Sequence, residues 1–475
     1  MEVSLKPVVM KFGGTSVEDA SAFERVTEIV QSKRDARPVV VVSAMSGFTN
    51  ALLLSVERAA NGDAEGATRE LDVQFERHTE VARTLLNQDA RTEIWSAISA
   101  ARRETSELLR IVSQHPVTRP PLQDEIVSYG ERLSAYLLAA VLSTRTPGHA
   151  RYVDARRCIV TDDEYGNASP LYEETKARTL SELLPLIEAS VTPVLGGFIA
   201  SSLKNATTTL GRGGSDFTAA LVGACVDAGE VEIWTDVTGV LTADPRVVKE
   251  ARTIRLLSYS EAAELAYFGA KVLHPKTIQP AVERRIPVRI CNSRAPEEAG
   301  TLVCFETEAV PRTVKAIAHK TSITTVQITS GRMLGAYGFL RAIFEIFDRH
   351  RTAVDVVTTS EVSVSLSLDD TTTLPTILEE LRRLGEVEVE QGRAIVCVVG
   401  EGLRSTPGIA SRVFSTISDI NVSLVSLGAS SINLTFAVDE PRVQEVVKRL
   451  HSAFFEQEME QRDGTIEFAS KGATS

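Results

Sequence analysis

The last third of the chain repeats itself, and this restricts its folding more than any other feature. Residues 324–370 align without a gap on residues 394–440: Gly338 falls on Gly408, Phe344 on Phe414, Ser360 on Ser430 and Asp369 on Asp439. Each copy reads as a strand, a glycine loop, an amphipathic helix, a strand, a turn and an alternating strand. A helix then leads out (Leu374 to Leu384; Pro441 to Phe454). A unit so short cannot bury the apolar face of its helices without a sheet beneath them. The order βαββα is the start of a ferredoxin-like α+β unit, so two small sheets in tandem are predicted. In each copy a loop feeds a helix N-terminus, which suits a ligand-binding pair; a purely structural dimerisation module is the plainer alternative.

Upstream the rhythm is different. PVVMKF (residues 7–12) is short, apolar and stopped by Gly13-Gly14, as a buried strand is. A helical pattern runs from about Val17 to Ser32, PVVVVSAM is a second buried strand, and another helix starts near Thr49. Strand, helix and strand in this order predict an α/β sandwich with a mainly parallel sheet. Residues 64–114, rich in Ala, Glu, Arg and Leu, predict two or more long helices, read as a solvated helical subdomain; Ser128 to Leu142 is helical too. From residue 191 the α/β rhythm resumes through VTPVLGGFIA, LGRGGSD with the helix FTAALVGACV, EVEIWTDV, the helix SYSEAAELAYFGAKVL and the strand IPVRICNS. CFETEAVPRTVKA is extended and contains a proline, which puts a boundary near 305–315. Three domains are expected: 1–305, 315–392 and 393–465.

Charge and cysteine usage narrow the function. Among 475 residues, 51 Lys and Arg face 63 Asp and Glu, a net charge of −12. An acidic surface argues against nucleic acid as a partner, because phosphate backbones need clustered cations. The five cysteines lie far apart with no CxxC pair, which argues against a disulfide framework or zinc cluster and fits a reducing, cytoplasmic setting. MEVSLKPVV shows no basic region followed by a long apolar stretch, so no signal peptide is expected. The strongest apolar run, Val39 to Val42, is far short of the ~20 residues a membrane helix needs, so no membrane partner is expected. The histidines show no HExxH or other metal-ligand spacing, and no protein metal site is expected.

Four motifs carry the chemistry. In KFGGTS, Lys11 ends a strand, Gly13 and Gly14 let backbone approach a ligand, and Thr15 and Ser16 begin a helix whose N–H groups favour an anion. The GxxxxGK[ST] spacing of a Walker A loop is absent. In LGRGGSD, Arg212 can fork onto a carboxylate or phosphate, Gly213 and Gly214 remove Cβ hindrance, and Ser215 and Asp216 suit a helix cap. Asp216 stands where a dinucleotide fingerprint needs its third glycine, which counts against a nicotinamide or flavin site. In WTDVTGVLTADPR, Thr235 and Asp236 end a strand and Arg246 follows a rigid Asp-Pro turn, a place to hold a nucleotide. In FGAKVLHP, Lys271 is expected late in a helix that His274-Pro275 stop. VSAMSGFTN adds Ser43 and Thr49 at a strand end, and YGERLS adds Glu131, an acid able to recognise an ammonium group.

Glycine cradles with fixed cations point to phosphoryl transfer, where charge spreads over the transferred group's oxygens. No catalytic His or Asp dyad is evident, as expected if the acceptor is a carboxylate already ionised at neutral pH.

KFGGTSV, GRGGSDFTA, WTDVTGV, TADPR and FGAKVLHP, in this order, resemble the aspartate kinases, and TTSEVSVSLSLD with LGASSINLTF resembles their regulatory ACT domains. The nearest likeness is to the monofunctional, lysine-sensitive bacterial type. The resemblance implies an amino-acid-kinase fold, ATP with Mg²⁺, and conversion of L-aspartate to 4-phospho-L-aspartate. Lys11 and Lys271 would contact ATP phosphates beside Gly13, Gly14, Thr15 and Ser16, and Thr235, Asp236 and Arg246 would contact the nucleotide. Arg212, with Gly213, would clamp a carboxylate of aspartate, Glu131 its ammonium, and Ser43, Thr49 and Ser215 would complete the pocket. Lys11, Arg212, Asp216 and Lys271 form the catalytic set. Leu241 stands where relatives often carry Tyr. Lysine would bind between first ACT units of paired subunits, at Met333, Gly338, Leu340, Val354, Asp355 and Ser360, with Asp355 on the effector amine; a homodimer or homotetramer through the ACT domains follows. A non-catalytic amino-acid sensor with a degenerate kinase domain, or another amino-acid kinase, are the competing readings.

Overall fold

The computed structural model describes residues 6–146, 148–269, 273–305 and 314–456. These fall into two compact units. One comprises residues 6–240, 255–259 and 273–305, the other 241–254, 260–269 and 314–456.

The first unit is built on an eight-stranded sheet. Its strands run in the order Ala150–Val153, Thr192–Gly196, Val39–Val42, Val8–Phe12, Glu230–Thr235, Val288–Asn292, Thr301–Cys304 and Leu256–Ser258. All neighbours are parallel except Val288–Asn292 with Thr301–Cys304. Val8–Phe12 and Val39–Val42 are buried at every residue, because helices cover both faces of a parallel sheet, and this is why they read as unbroken apolar runs. The sandwich expectation holds. The helices Ala64–Leu85 and Gln88–Gln114 form as expected, but not as a solvated subdomain. Leu71, Phe75 and Val81 from one, and Ile94, Ile98, Leu109 and Val112 from the other, enter the same core as Phe12, Phe23 and Phe48. At about 1.5–3 kcal/mol per large apolar side chain, these stripes weld the helices to the sheet. Their charged faces dominate the composition and hide the stripe. A small second sheet joins Val160–Thr161, Ile199–Ser202 and Thr207–Thr209.

The second unit corrects the picture of two separate sheets. Both repeat copies share one antiparallel sheet, in the order Val357–Thr359, Ser363–Leu368, Ala316–Thr329, Glu386–Val399, Asn433–Asp439, Leu424–Leu427. Each copy owns three strands, and a ferredoxin-like sheet wants a fourth. The copies exchange one: residues 316–320 pair with 395–399 in the second copy, and 386–390 pair with 325–329 in the first. A register shift between Lys320 and Ile323, with Ser322 at φ 59°, lets one strand serve both. The first copy buries Ile343, Ile346, Phe347, Ile377 and Leu381 from its two helices on Val326, Ile328, Val364 and Leu366. The second does the same with Val413, Val446, Val447 and Leu450 on Val396, Val398, Leu434 and Phe436.

Residues 260–269 also belong to this unit. The helix that leads into FGAK spans Tyr259–Tyr267. Lys271 itself lies outside the described residues.

Candidate functional site

A cavity of about 750 Å³ opens in the first unit where the carboxyl ends of Val8–Phe12, Val39–Val42 and Glu230–Thr235 meet the glycine loops. KFGGTS and LGRGGSD line it together: Lys11, Gly13, Gly14 and Thr15 from one, Arg212, Gly213, Ser215 and Asp216 from the other. Ser43, Thr49, Glu131 and Thr235 complete the expected set on its wall.

Backbone geometry brings the loops close. A Cβ on Gly14 would lie 2.9 Å from the carbonyl oxygen of Ala44, so only glycine lets this loop sit against the strand end beside it. Gly213 caps the helix Gly214–Cys225 from the left-handed region, φ 74°, and a Cβ there would meet Thr277 at 2.7 Å. The positive end of that helix therefore faces the cavity. Gly47, φ 82°, caps the helix Phe48–Ala60, whose first turn carries Thr49. The Gly13 N–H donates to the Trp234 carbonyl at 3.0 Å, which fixes the first loop to the neighbouring strand. Ser16 does not line the cavity. It is buried, with its hydroxyl 2.8 Å from that of Ser293, and holds the loop from beneath.

The charges are few and placed. Lys11 Nζ lies 2.7 Å from Asp216 Oδ1, both side chains largely covered. Such a pair holds the ammonium in one position. Arg212 is exposed to the cavity and makes no ion pair among the described residues. Glu131 is 3% exposed; its Oε1 accepts from the Ala44 N–H at 3.2 Å, and Oε2 is buried without a partner among the described residues. Burial pushes its carboxyl up to about 8. Buried in this way, the group is held neutral until a cation beside it favours the charge.

Other expected residues lie elsewhere. Asp236 is exposed and accepts from the Thr235 hydroxyl at 3.2 Å. Arg246 and Leu241 fall in the second unit. There Arg246 forks onto Asp244, with Nη2 to Oδ2 at 2.7 Å. Of the effector set, Met333 lies in a short helical turn, Gly338 caps the helix Phe339–Arg349 at φ 80°, and Leu340 is 40% exposed in its first turn. Val354 packs on the first copy's core, Asp355 is engaged by Lys320 at 3.3 Å, and the Ser360 hydroxyl bonds that of Ser363 at 2.7 Å.

Sequence reasoning missed several lining residues, Phe198 and Asp124 among them. Phe198 carries φ 65°, a conformation rare for an aromatic residue, with its N–H held by Thr218 Oγ1 at 3.0 Å. Its only signal was its place after a strand and two glycines. Asp124 lies seven residues before Glu131 on the helix Arg119–Arg145, and nothing in the local pattern marks it.

Comparison with known proteins bears on this cavity. The amino acid kinase family model matches residues 6–292, and an ACT domain model matches residues 396–454. Lysine-sensitive aspartokinase 3 of Escherichia coli is 40% identical over 94% of this chain and 99% of its own. E. coli aspartokinase III crystallised with aspartate and ADP (R-state) superposes with a TM-score of 0.80 at 39% identity, covering 95% of this chain and 100% of that one. The same protein with lysine and aspartate (T-state) gives 0.78 at 39% identity, covering 94% and 99%.

Proposed function

Because the chain belongs to the aspartokinases, within the amino acid kinase family, we propose that this cavity phosphorylates the side-chain carboxylate of L-aspartate with ATP, giving 4-phospho-L-aspartate. The convergence of Lys11 and Arg212, with their glycine loops, on one cavity carries the reading.

The acceptor is a carboxylate, ionised at neutral pH, so the chain need supply no base. What it supplies is position and charge. Lys11, steadied by Asp216 at 2.7 Å, and the N-terminus of Gly214–Cys225 stabilise negative charge on the transferring group. Arg212 takes the substrate's other carboxylate in a bidentate fork. Glu131 offers its unpartnered Oε2 to the ammonium, and Thr49, Ser43 and Ser215 supply hydroxyls. Thr235 sits at the nucleotide end, and Asp236 is assigned to the nucleotide with it. Mg²⁺ would neutralise the charge of the triphosphate when bound, and Asp216, beside Lys11, is the cavity carboxylate that would hold it.

We assign the kinase to residues 1–305 and the two regulatory domains to 315–392 and 393–465. Their inhibitor is lysine, bound at the first copy through Asp355, with subunits paired through these domains. Five free thiols, four of them buried, fit a cytoplasmic protein. Trapping the product with hydroxylamine tests the activity: aspartate and ATP should yield the acyl hydroxamate, and the rate should fall as lysine is added. A signal with glutamate and none with aspartate would move the assignment to another amino-acid kinase, and no signal with any amino acid would leave a sensor.

A further inference from the structure

Asp124 is a buried carboxylate on the cavity wall, 1% exposed, and it makes no ion pair among the described residues. It spends its oxygens on three donors. Oδ2 accepts from the backbone N–H of Gly166 and of Thr209, each at 2.9 Å, and Oδ1 accepts from the Thr209 hydroxyl at 3.0 Å. With those partners filled, it has little left to offer a ligand.

The donors belong to two segments far apart in sequence. Gly166 lies in the loop after Val160–Thr161, and Thr209 ends the strand Thr207–Thr209. A backbone bond from Ala168 N–H to the Thr209 carbonyl, 2.8 Å, joins the same two segments. Two residues past Thr209 the chain turns at Gly211, φ 72°, so close to Asn167 that a Cβ would lie 2.4 Å from its Oδ1. Arg212 follows, and the Gly214 N–H returns to the Gly211 carbonyl at 3.0 Å. The backbone from which Arg212 springs therefore rests on a platform whose two halves are clamped by one carboxylate.

We infer that Asp124 is a positioning residue for substrate recognition: it fixes the Gly166–Asn167 and Thr209–Gly211 segments on which Arg212 stands, and so sets where the guanidinium meets the carboxylate of the amino-acid substrate. The inference rests on the reading that Arg212 clamps aspartate. A fork aimed at a planar anion loses most of its advantage when its base shifts by an ångström. Asp124 makes no hydrogen bond to the KFGGTS loop among the described residues, so its loss should weigh on aspartate more than on ATP.

Steady-state kinetics with the full chain test this, first on the wild type, whose hydroxamate signal with aspartate settles the underlying reading separately. Asp124→Ala should raise the KM for aspartate about tenfold or more and leave the KM for ATP within about twofold. Asp124→Asn should recover most of the loss, because one amide oxygen can still accept both N–H groups while the amide nitrogen donates to the Thr209 hydroxyl. An unchanged aspartate KM in Asp124→Ala, or equal rises for both substrates, would overturn the inference. If Asp124→Ala does not fold, Thr209→Val carries the test, since it removes one donor and keeps the shape. It should raise the aspartate KM about threefold with the ATP KM unmoved, and no rise would refute the role.

Discussion

Tyr267 donates its phenol hydroxyl to the carboxylate of Asp355, joining the end of the helix Tyr259–Tyr267 to the first repeat copy. Lys320 Nζ lies 3.3 Å from the other oxygen of the same carboxylate and 4.8 Å from the Tyr267 ring centre. Burial and the neighbouring carboxylate hold the phenol above its ordinary range, so it stays a donor. An effector ammonium arriving at Asp355 must compete with Lys320 and disturb Tyr267, and Tyr267 is four residues from Lys271. A ligand can shift an equilibrium only through contacts that differ between states, and an effector that displaced Lys320 or Tyr267 from Asp355 would create such a difference. Asp355→Ala is expected to raise the lysine concentration for half-inhibition about tenfold or more, measured by the hydroxamate assay over a lysine series. Equal inhibition in variant and wild type would remove Asp355 from the effector site.

Glu131 predicts a pH dependence with opposite signs for binding and stability. In the unfolded chain its carboxyl ionises near 4.5; in the fold, burial holds it protonated to about 8. Folding therefore resists the charge, and stability is lost as pH rises from about 4.5 to about 8. Binding an ammonium needs the charge, so kcat/KM for aspartate should rise with pH up to about 8. Glu131→Gln should raise the thermal midpoint at pH 8.5 by about 2–6 °C, a gain of order 1–2 kcal/mol. The same variant should lose aspartate affinity and flatten the alkaline rise. A lower midpoint would show that the carboxylate is paired in the folded chain.

How much of this was legible in the sequence follows from how local each signal is. Buried parallel strands are apolar runs, so Val8–Phe12 and Val39–Val42 are readable directly. Glycine loops after such strands mark ligand sites, and the cavity gathers both. The repeat gave the helices and strands of the second unit. It did not give the strand exchange, because pairing of 316–320 with 395–399 depends on a register shift near Ser322 that no pattern announces. Asp124 and the Lys320–Asp355 contact stayed hidden for the same reason: their partners are distant in sequence, and a lone carboxylate in a helix reads as a solvated face. Arg246 looked like a phosphate ligand from its turn, yet that turn equally lets it fold back on Asp244.

Lys11 sits where one lost charge has two consequences. Lys11→Ala removes a cation from the cavity and leaves the Asp216 carboxylate, its partner at 2.7 Å, unbalanced beside an incoming triphosphate. Both effects oppose nucleotide binding and transfer. The rate should fall at least about tenfold, about 1.4 kcal/mol or more, with the KM for ATP rising. Stopped-time hydroxamate assays at several ATP concentrations measure both, and an unchanged rate would take Lys11 out of the mechanism.

A buried ion pair ties the helix Tyr259–Tyr267 to the start of the shared strand. Lys315 Nζ meets Glu261 Oε2 at 2.7 Å, with the side chains 7% and 0% exposed. Glu261 stands in the first turn of that helix, and Lys315 precedes the long shared strand Ala316–Thr329. Two charges so deeply buried gain little net stability together, but removing one is costly, because the other loses its partner at 2.7 Å and has almost no access to water. Lys315→Ala should therefore destabilise the chain by about 3–5 kcal/mol. Removing both charges with groups of similar volume, Lys315→Met with Glu261→Leu, should restore most of that loss. Denaturant unfolding monitored by circular dichroism gives both values. If the double variant were as unstable as Lys315→Ala, the pair would owe its worth to packing of the two stems and not to charge.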